Sequence, residues 1–420
     1  MRDRTAGTVF ARHSTIRQCP VYSPLQWVTG VSGCGGHLSE LFDPTPQAIE
    51  ALEKLADEIP GIQHVLTSNN AQLKMLDRAA HQQQLVGSVV KLTVAQDLPP
   101  ELQGLGVFNT NCAKSPLTGI GRVSTGLGCP HIETHPDFLG ILFAFCTIEG
   151  RRIDFVGIND PSAPTDAVTE FIALLQATAD AAGTNNVLWQ NAVVGARLFE
   201  RLQFKGAEIA LHVMKQTHRT QESSSAIQQY WTGIVRARDV LGKFTVVPRP
   251  DADENSKRTD DEQLFSHDWQ KRQTAADIEF NLYWIPYLNE IDTSLTKLTQ
   301  PWRETHKVEV GTVTFPKTDF GSRQAQLVAM LATEMGANPG NWASHPASGL
   351  QPELPATEFT AGRFFVYRKS QQGRNALAEE SYASFFHKGE ISDELAAELT
   401  RRYQDKRRAG HAVPDLGDLH

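Results

Sequence analysis

The chain has 420 residues, with 40 lysines and arginines against 48 aspartates and glutamates, and a formal net charge of -8. This acidic balance argues against nucleic acid or an anionic membrane surface as the main partner. No apolar run reaches the ~18 residues that a membrane-spanning helix needs. The five cysteines include no Cys-x-x-Cys pair, which argues against a disulfide framework or a zinc site and favours a reducing, cytoplasmic compartment.

The first part of the chain is predicted to be an arm without regular structure. Residues 1–43 are glycine-rich between Gly30 and Gly36, and the first 18 residues carry four arginines against one acid, Asp3. The segment weakly resembles a transit peptide, but it lacks an apolar face. We therefore interpret residues 1–43 as an irregular N-terminal arm.

Two helices and a strand are predicted next. From Pro44 to Ile59 apolar side chains recur at helical spacing, and Pro60 would end that helix. A second short helical segment is expected at about Asn69 to Ala80. From Leu85 the apolar period changes to two, so Val86–Val94 is predicted to be a strand.

The rest of the chain predicts more strands than helices. Strands are predicted at Gly119–Ser124, Gly140–Thr147, Arg152–Gly157, Ile234–Val247, Asp277–Pro286 and Lys307–Phe315, helices at Asp166–Ala182 and Ser322–Met335, and a polar linker at Thr217–Ser225. Residues 249–267 are rich in Asp, Glu, Asn, Ser and Pro, which indicates an exposed, mobile insertion. Because no strand–helix–strand rhythm appears, we predict an α+β fold, an antiparallel β-barrel with surrounding helices. Residues 44–385 would form this domain and residues 386–420 a C-terminal helical tail.

The stretch Gly362–Arg374 carries candidate chemistry. Arg363 lies four residues before Tyr367, so the two side chains share one face if the stretch is helical. A guanidinium beside a phenol favours the phenolate, and a buried phenolate needs a positive partner, of which a haem iron is one. The alternative is an ordinary amphipathic helix with Phe364, Phe365 and Tyr367 in the core and its arginines in solvent.

Two other motifs are interpreted as structural. The glycines of Gly119–Gly128 are not followed by the Lys-Ser/Thr ending of a phosphate loop and open no helix, which favours turn glycines. His131 and His135 are four residues apart, but prolines bracket them and no third ligand is nearby. We interpret both as loop histidines.

Several motifs agree with Gly362–Arg374 in their order along the chain. They are Arg78-Ala79-Ala80-His81 before the first strand, Arg122-Val123-Ser124-Thr125 on a later strand, and Asp154 to Pro161 after an apolar strand. Together they resemble the haem catalase superfamily, and are more similar to its smaller, catalase-like members than to the long enzymes. The resemblance covers about residues 70–185 and 225–380, and it implies a catalase-like barrel that binds haem b.

The resemblance also implies residue roles on both faces of the haem. Tyr367 would ligate the iron as a phenolate, held in that form by Arg363. On the opposite face His81 would be the general base that moves a peroxide proton. Asn159 would donate a hydrogen bond to the bound peroxide, and Ser124 would fix the tautomer of His81.

The same resemblance implies how the haem is held and what the protein acts on. Arg78, Arg122 and Arg374 would pair with the haem propionates, and Phe171 would stack on the macrocycle. The substrates would be a peroxide and, in a second step, another peroxide or an organic donor. Catalase relatives are usually dimers or tetramers, so a homo-oligomer is expected.

The sequence departs from the family pattern around the pocket. Gln82-Gln83-Gln84 stand where catalases carry Ala-Lys-Gly after the histidine, and no paired aromatics follow Asp160-Pro161. Gln371 stands where the family has a histidine one turn after the tyrosine. These departures argue against efficient disproportionation of hydrogen peroxide and indicate room for a larger substrate.

Three functions remain open from the sequence. The first is a haem hydroperoxidase, either catalase-like or a peroxidase. The second is a haem-dependent hydroperoxide isomerase or synthase of the allene oxide synthase type; those enzymes place a threonine where this chain has Ala80, which favours the first. The third is a non-catalytic haem-binding protein of the same fold, against which His81, Ser124 and Asn159 argue together.

Overall fold

The structure is a computed structural model that describes residues 45–70, 74–108, 115–126, 128, 131–133, 135–147, 152–183, 186–219, 224–237, 240–249, 264–342 and 356–411. The predicted arm at residues 1–43 lies outside the described residues, as does most of the predicted insertion at residues 249–267.

Within the described residues, eight strands form a closed antiparallel barrel. They are β1 (Gln84–Val94), β2 (Leu117–Thr125), β3 (Leu139–Cys146), β4 (Arg152–Ile158), β5 (Tyr230–Ala237), β6 (Val240–Pro248), β7 (Ile278–Pro286) and β8 (Val308–Phe315). Each strand pairs with the next one in the chain, and Lys91–Val94 pairs with Gly311–Thr314 to join β1 to β8. Closure leaves neither edge of the sheet unpaired. The predicted antiparallel barrel of an α+β fold is confirmed.

Aromatic side chains fill the barrel. Phe143, Phe244, Phe280, Trp284 and Phe315 are buried in its interior, and the ring centroids of Phe244 and Trp284 lie 4.9 Å apart. Side chains alternate between the two faces of a strand, so polar residues that alternate with these aromatics face outward. A functional site is therefore expected between the barrel wall and the helices.

The helices surround this barrel. They are α1 (Pro46–Ala56), α2 (Ile59–Asn69), α3 (Val168–Asp180), α4 (Val187–Leu202), α5 (Phe204–Arg219), α6 (Leu264–Ala275), α7 (Arg323–Glu334), α8 (Glu358–Gly373), α9 (Ala383–Lys388) and α10 (Asp393–Arg408). Helix α8 begins at a cap in which Thr357 Oγ1 accepts from the Thr360 N–H at 3.1 Å. It packs closely on α3, because a Cβ at Gly362 would collide with Val168. The helical form expected for Gly362–Arg374 is thus observed.

The second helix was predicted at the wrong position. Helix α2 occupies Ile59–Asn69, whereas Lys74–Ala80 has no helix. The reason is Pro60, which lies in the first turn of α2. Proline lacks only an N–H that the first helical turn leaves unpaired, so it starts this helix as well as ending the previous one.

Three further predictions need correction. The single strand expected at Ile234–Val247 is two strands, β5 and β6, with Ala237 paired to Val240. The linker expected at Thr217–Ser225 overlaps the end of α5, and the helices α4 and α5 were not predicted. The last four residues of the insertion expected at 249–267 are helical instead, because α6 begins at Leu264 and buries Phe265.

The C-terminal helix α10 packs against α7. Leu395 and Leu399 of α10 are buried in one cluster with Leu327 and Leu331 of α7. In the part of the chain that the structure describes, no helix is long and apolar enough to span a membrane.

Candidate functional site

A cavity of about 450 Å³ lies outside the barrel wall, against α3 and α8. The predicted site residues that line it are Arg78, His81, Arg122, Ser124, Phe171, Arg363, Tyr367 and Arg374. They come from the segment before β1, from β2, and from α3 and α8. The structure thus brings eight of the nine predicted residues to one cavity, and Asn159 is the exception.

His81 is held in an unusual backbone conformation. Its φ is 54°, in the left-handed region that non-glycine residues rarely adopt and that costs roughly 1–3 kcal/mol. Its N–H donates to the carbonyl of Gly126 at 2.9 Å, and Arg122 Nη2 donates to its carbonyl oxygen at 2.7 Å. These backbone contacts fix the direction of the imidazole at the cavity wall.

The imidazole of His81 is neutral near pH 7. Burial lowers its pKa to about 4; Arg122 and Arg363 add to this effect, and Asp137 opposes it. Ser124 Oγ lies 3.3 Å from Nδ1, and its role in fixing the tautomer stays a prediction. When Nδ1 carries the proton and donates to Ser124, Nε2 is free to accept a proton from a substrate.

Gly140 makes room for the imidazole. A Cβ at this position would collide with Nδ1 and lie 3.2 Å from Ser124 Oγ. Gly140→Ala is therefore expected to displace His81 and to lower the free energy of unfolding by about 1–3 kcal/mol. Thermal unfolding measures the second effect, and the pKa of His81 measured by NMR reports the first. Gly61→Ala, where nothing lies within 4 Å of the added carbon, is the control and should be neutral or slightly stabilising; an unchanged His81 signal in Gly140→Ala would contradict the packing described here.

Arg363 and Tyr367 face the cavity from one side of α8. Arg363 Nη2 donates to the Tyr367 hydroxyl oxygen at 3.3 Å, and the guanidinium carbon lies 5.5 Å from the Tyr367 ring centroid. The four-residue spacing in the sequence therefore gives the predicted contact. Phe171 reaches the same cavity from α3 and meets Phe359 edge-on, with 6.0 Å between ring centroids.

Three arginines form a buried cationic cluster at the cavity. Arg78 Nη2 donates to the carbonyl of Thr333 at 2.7 Å, and Arg374 Nη2 donates to that of Met335 at 2.9 Å. Arg122 donates through Nε to Gln84 at 3.1 Å. Arg78 Nη1 is buried and makes no hydrogen bond, although Asp77 lies 3.7 Å away.

Burial and mutual repulsion make this cluster electrostatically unfavourable. Burial lowers the pKa of Arg78 to about 10; Arg122 adds to that effect, and Asp77 and Glu334 partly oppose it. Burial likewise lowers the pKa of Arg122 to about 10, partly opposed by Asp77. Burial lowers that of Arg374 to about 9; Arg78 adds to the effect, and Asp77 and Glu334 partly oppose it. Such a cluster is relieved by a bound anion, because charge-assisted hydrogen bonds offset desolvation.

Asn159 does not face the cavity. Its Oδ1 accepts from the Leu139 N–H at 2.8 Å, and its Nδ2 donates to Gln228. The preceding residue, Ile158, lines the cavity instead. Side chains alternate along β4, so an apolar residue takes the outward position at the end of this strand. The amide that was predicted to assist a substrate instead forms hydrogen bonds within the protein.

Among the described residues of the cavity wall, three charged ones were not predicted. They are Asp137, Asp160 and Lys243. Asp137 Oδ2 accepts from the Gly126 N–H at 2.7 Å and lies 3.0 Å from His131 Nε2; this contact raises the pKa of His131 against the effect of burial. Lys243 shares the outward face of β6 with Leu241. A lysine on an otherwise apolar strand was the feature of the sequence that could have indicated a site residue.

The comparisons with known proteins show the fold. No protein-family model matches the sequence, and no curated protein matches it either. The structure is similar to a fungal catalase, with 14% identity, a TM-score of 0.53, and coverage of 89% of this chain and 71% of that one. It is also similar to catalase A from Saccharomyces cerevisiae, with 14% identity, a TM-score of 0.52, and coverage of 88% and 70%. A bacterial catalase has 16% identity, a TM-score of 0.50, and coverage of 90% and 68%. The chain has a catalase-like fold.

Proposed function

We propose that the protein is a haem-dependent hydroperoxidase that cleaves the O–O bond of hydrogen peroxide or an organic hydroperoxide. The observation that carries the proposal is the composition of one cavity in a catalase-like fold. A phenol beside a guanidinium, a neutral imidazole and a cluster of three buried arginines all line it. This set has no evident use in a purely structural core, because each member costs free energy when buried alone.

The residues present fit haem b. The three arginines Arg78, Arg122 and Arg374 suit two propionates, and Arg78 Nη1 is a buried donor without an acceptor. Tyr367 offers an oxygen ligand next to a cation, and Phe171 offers an apolar face to the macrocycle. Among the residues that the structure describes, no group of three or more His, Cys, Asp or Glu side chains could hold a bare metal ion.

In this proposal the bound haem supplies the electrons that break the O–O bond, and the protein moves the proton. Nε2 of His81 accepts a proton from one peroxide oxygen and returns it to the other. Ser124, at 3.3 Å from Nδ1, holds the tautomer that leaves Nε2 unprotonated. Arg363 would donate a hydrogen bond to the Tyr367 oxygen when that oxygen ligates the iron.

The cavity wall favours an organic hydroperoxide over hydrogen peroxide. Ile158 presents an apolar side chain where an amide was predicted, so a small polar peroxide gains no hydrogen bond there. An apolar substituent would gain contact with this wall. The same observation supports a second candidate, a hydroperoxide isomerase or synthase of the allene oxide synthase type, which needs no external donor.

A visible spectrum of the purified protein tests the proposal. We expect a Soret band of tyrosinate-ligated ferric haem that changes on addition of a hydroperoxide. Oxygen evolution from hydrogen peroxide would indicate catalase activity, oxidation of an added donor a peroxidase, and a rearranged product without donor oxidation an isomerase. A protein that binds no haem after reconstitution would refute all three.

Removing one arginine of the cluster tests the propionate assignment. Arg78→Met is expected to weaken haem binding by about 10–100-fold, because a hydrogen bond to a charged group contributes ~1.5–3 kcal/mol. Haem transfer to an excess of apomyoglobin measures the change. Arg272→Met is the control, because Arg272 lies on α6, outside the cavity, and pairs with Asp268 at 2.7 Å; equal haem affinities in the two variants would refute the assignment.

A further inference from the structure

Lys243 is a buried cation at the cavity wall. Its residue is 4% exposed, it lies on the outward face of β6, and it lines the cavity. Its ammonium nitrogen lies 4.8 Å from the ring centroid of Trp302. Among the residues that the structure describes, no carboxylate lies within salt-bridge distance of this nitrogen.

The carboxylate that acts on Lys243, that of Asp160, forms no ion pair with it. Asp160 interacts with Lys243 through space, but its Oδ1 already accepts from the Ser162 N–H at 2.9 Å and from Gln216 Nε2 at 2.9 Å. Burial lowers the pKa of Lys243 to about 8; Asp160 opposes this effect and Arg363 adds to it. A buried ammonium held in this way remains underpaired, which is unfavourable unless an anion is bound.

The charges around the cavity leave Lys243 without a role in haem binding. The basic residues that line it are Arg78, Arg122, Lys243, Arg363 and Arg374, whereas Asp137 and Asp160 are the carboxylates among its described lining residues. In the proposed holoprotein the two propionates and Asp77, which lies 3.7 Å from Arg78, balance the three-arginine cluster, and the iron-ligating oxygen of Tyr367 balances Arg363. One cation, Lys243, is left for a further anion.

We propose that Lys243 binds the carboxylate of the organic substrate, so that the preferred substrate class is a hydroperoxide that carries a carboxylic acid. This inference rests on the proposed haem function, because only turnover makes the bound molecule a substrate. Binding of an anion at Lys243 does not itself require turnover. The apolar wall at Ile158 and the ammonium at Lys243 together match a molecule with an apolar chain and one anionic end.

Ligand binding tests the subsite without catalysis. Isothermal titration of the haem-loaded protein with octanoate and with octanamide compares a carboxylate with a neutral amide of the same chain length. We expect octanoate to bind at least ~10-fold more tightly than octanamide. In Lys243→Met the two affinities should become equal, while the Soret band is unchanged.

Lys307→Met is the matched control. Lys307 also lies over an aromatic ring, that of Tyr283 at 5.0 Å, but it pairs with Glu304 at 2.8 Å and lies outside the cavity. This variant should keep the preference for octanoate. A preference that survives in Lys243→Met, or one that is lost equally in both variants, would overturn the proposal.

Two further measurements keep the test decisive. In the wild-type protein the affinity for octanoate should fall as pH rises from 7 to 10, because the ammonium loses its proton, and the affinity for octanamide should not; equal pH profiles would overturn the proposal without any variant. With a carboxylate-bearing hydroperoxide and its methyl ester, Lys243→Met should raise KM at least ~10-fold for the acid alone. If the wild type binds no haem but still binds octanoate through Lys243, the haem function fails and the anion subsite stands.

Discussion

Tyr367→Phe is expected to abolish the tyrosinate-type haem spectrum and to lower hydroperoxide turnover more than ~100-fold. Loss of a residue that only supports a metal ligand costs about 10–100-fold in affinity or activity, and Tyr367 is assigned as the ligand itself. The substitution removes one hydroxyl oxygen, which Arg363 Nη2 contacts at 3.3 Å, and keeps the ring. The packing of α8 should therefore remain, and circular dichroism and the melting temperature should change little.

The control for Tyr367→Phe is a tyrosine outside the cavity. Tyr283 lies on β7, and its ring contacts Lys307. Like Tyr367→Phe, Tyr283→Phe removes one hydroxyl group and keeps the ring. This variant should keep the wild-type spectrum and turnover. If Tyr367→Phe also keeps both, the iron ligand is another residue and the assignment of Tyr367 is wrong.

Local features of the site were predictable from the sequence, because they depend on spacing within one element. Arg363 and Tyr367 needed only the helical period to be placed together. His81 and Ser124 were found through short motifs, one before β1 and one at the end of β2, and the structure places Ser124 Oγ 3.3 Å from His81 Nδ1. The resemblance supplied the pairing of these distant segments, which composition and periodicity do not contain.

Features that depend on strand phase or on packing between elements were not predictable in the same way. A shift of one residue along a strand moves a side chain to the opposite face, and this is the difference between Asn159 and Ile158. Pro60 fits either the end of one helix or the start of the next, and only packing decides between them. Lys243 became a site residue because β6 turns its outer face towards the cavity, which the sequence of β6 alone does not state.

His81→Ala is expected to lower hydroperoxide turnover by about 10²–10⁴-fold while the haem spectrum is retained. General acid–base catalysis by a positioned side chain contributes a factor of this size, and His81 is not assigned as a haem ligand. Stopped-flow spectroscopy of the first reaction with a hydroperoxide measures the proton-transfer step separately from donor oxidation. The control is His212→Ala, because His212 lies on α5 and contacts the carbonyl of Ala163 at 3.1 Å, and is not among the described residues that line the cavity.

The pH dependence of the same step distinguishes catalysis by His81 from a structural role. The neutral imidazole is the active form, and burial lowers its pKa to about 4, with Arg122 and Arg363 adding to the effect and Asp137 opposing it. The rate should therefore be constant from about pH 8 down to about pH 5 and fall as pH approaches 4. An imidazole at its ordinary pKa of ~6.5 would lose activity at a pH about 2.5 units higher. Because Asp137 opposes the shift, Asp137→Asn should move the acid limb to still lower pH, and an acid limb near pH 6.5 in the wild type would show that His81 is not the base.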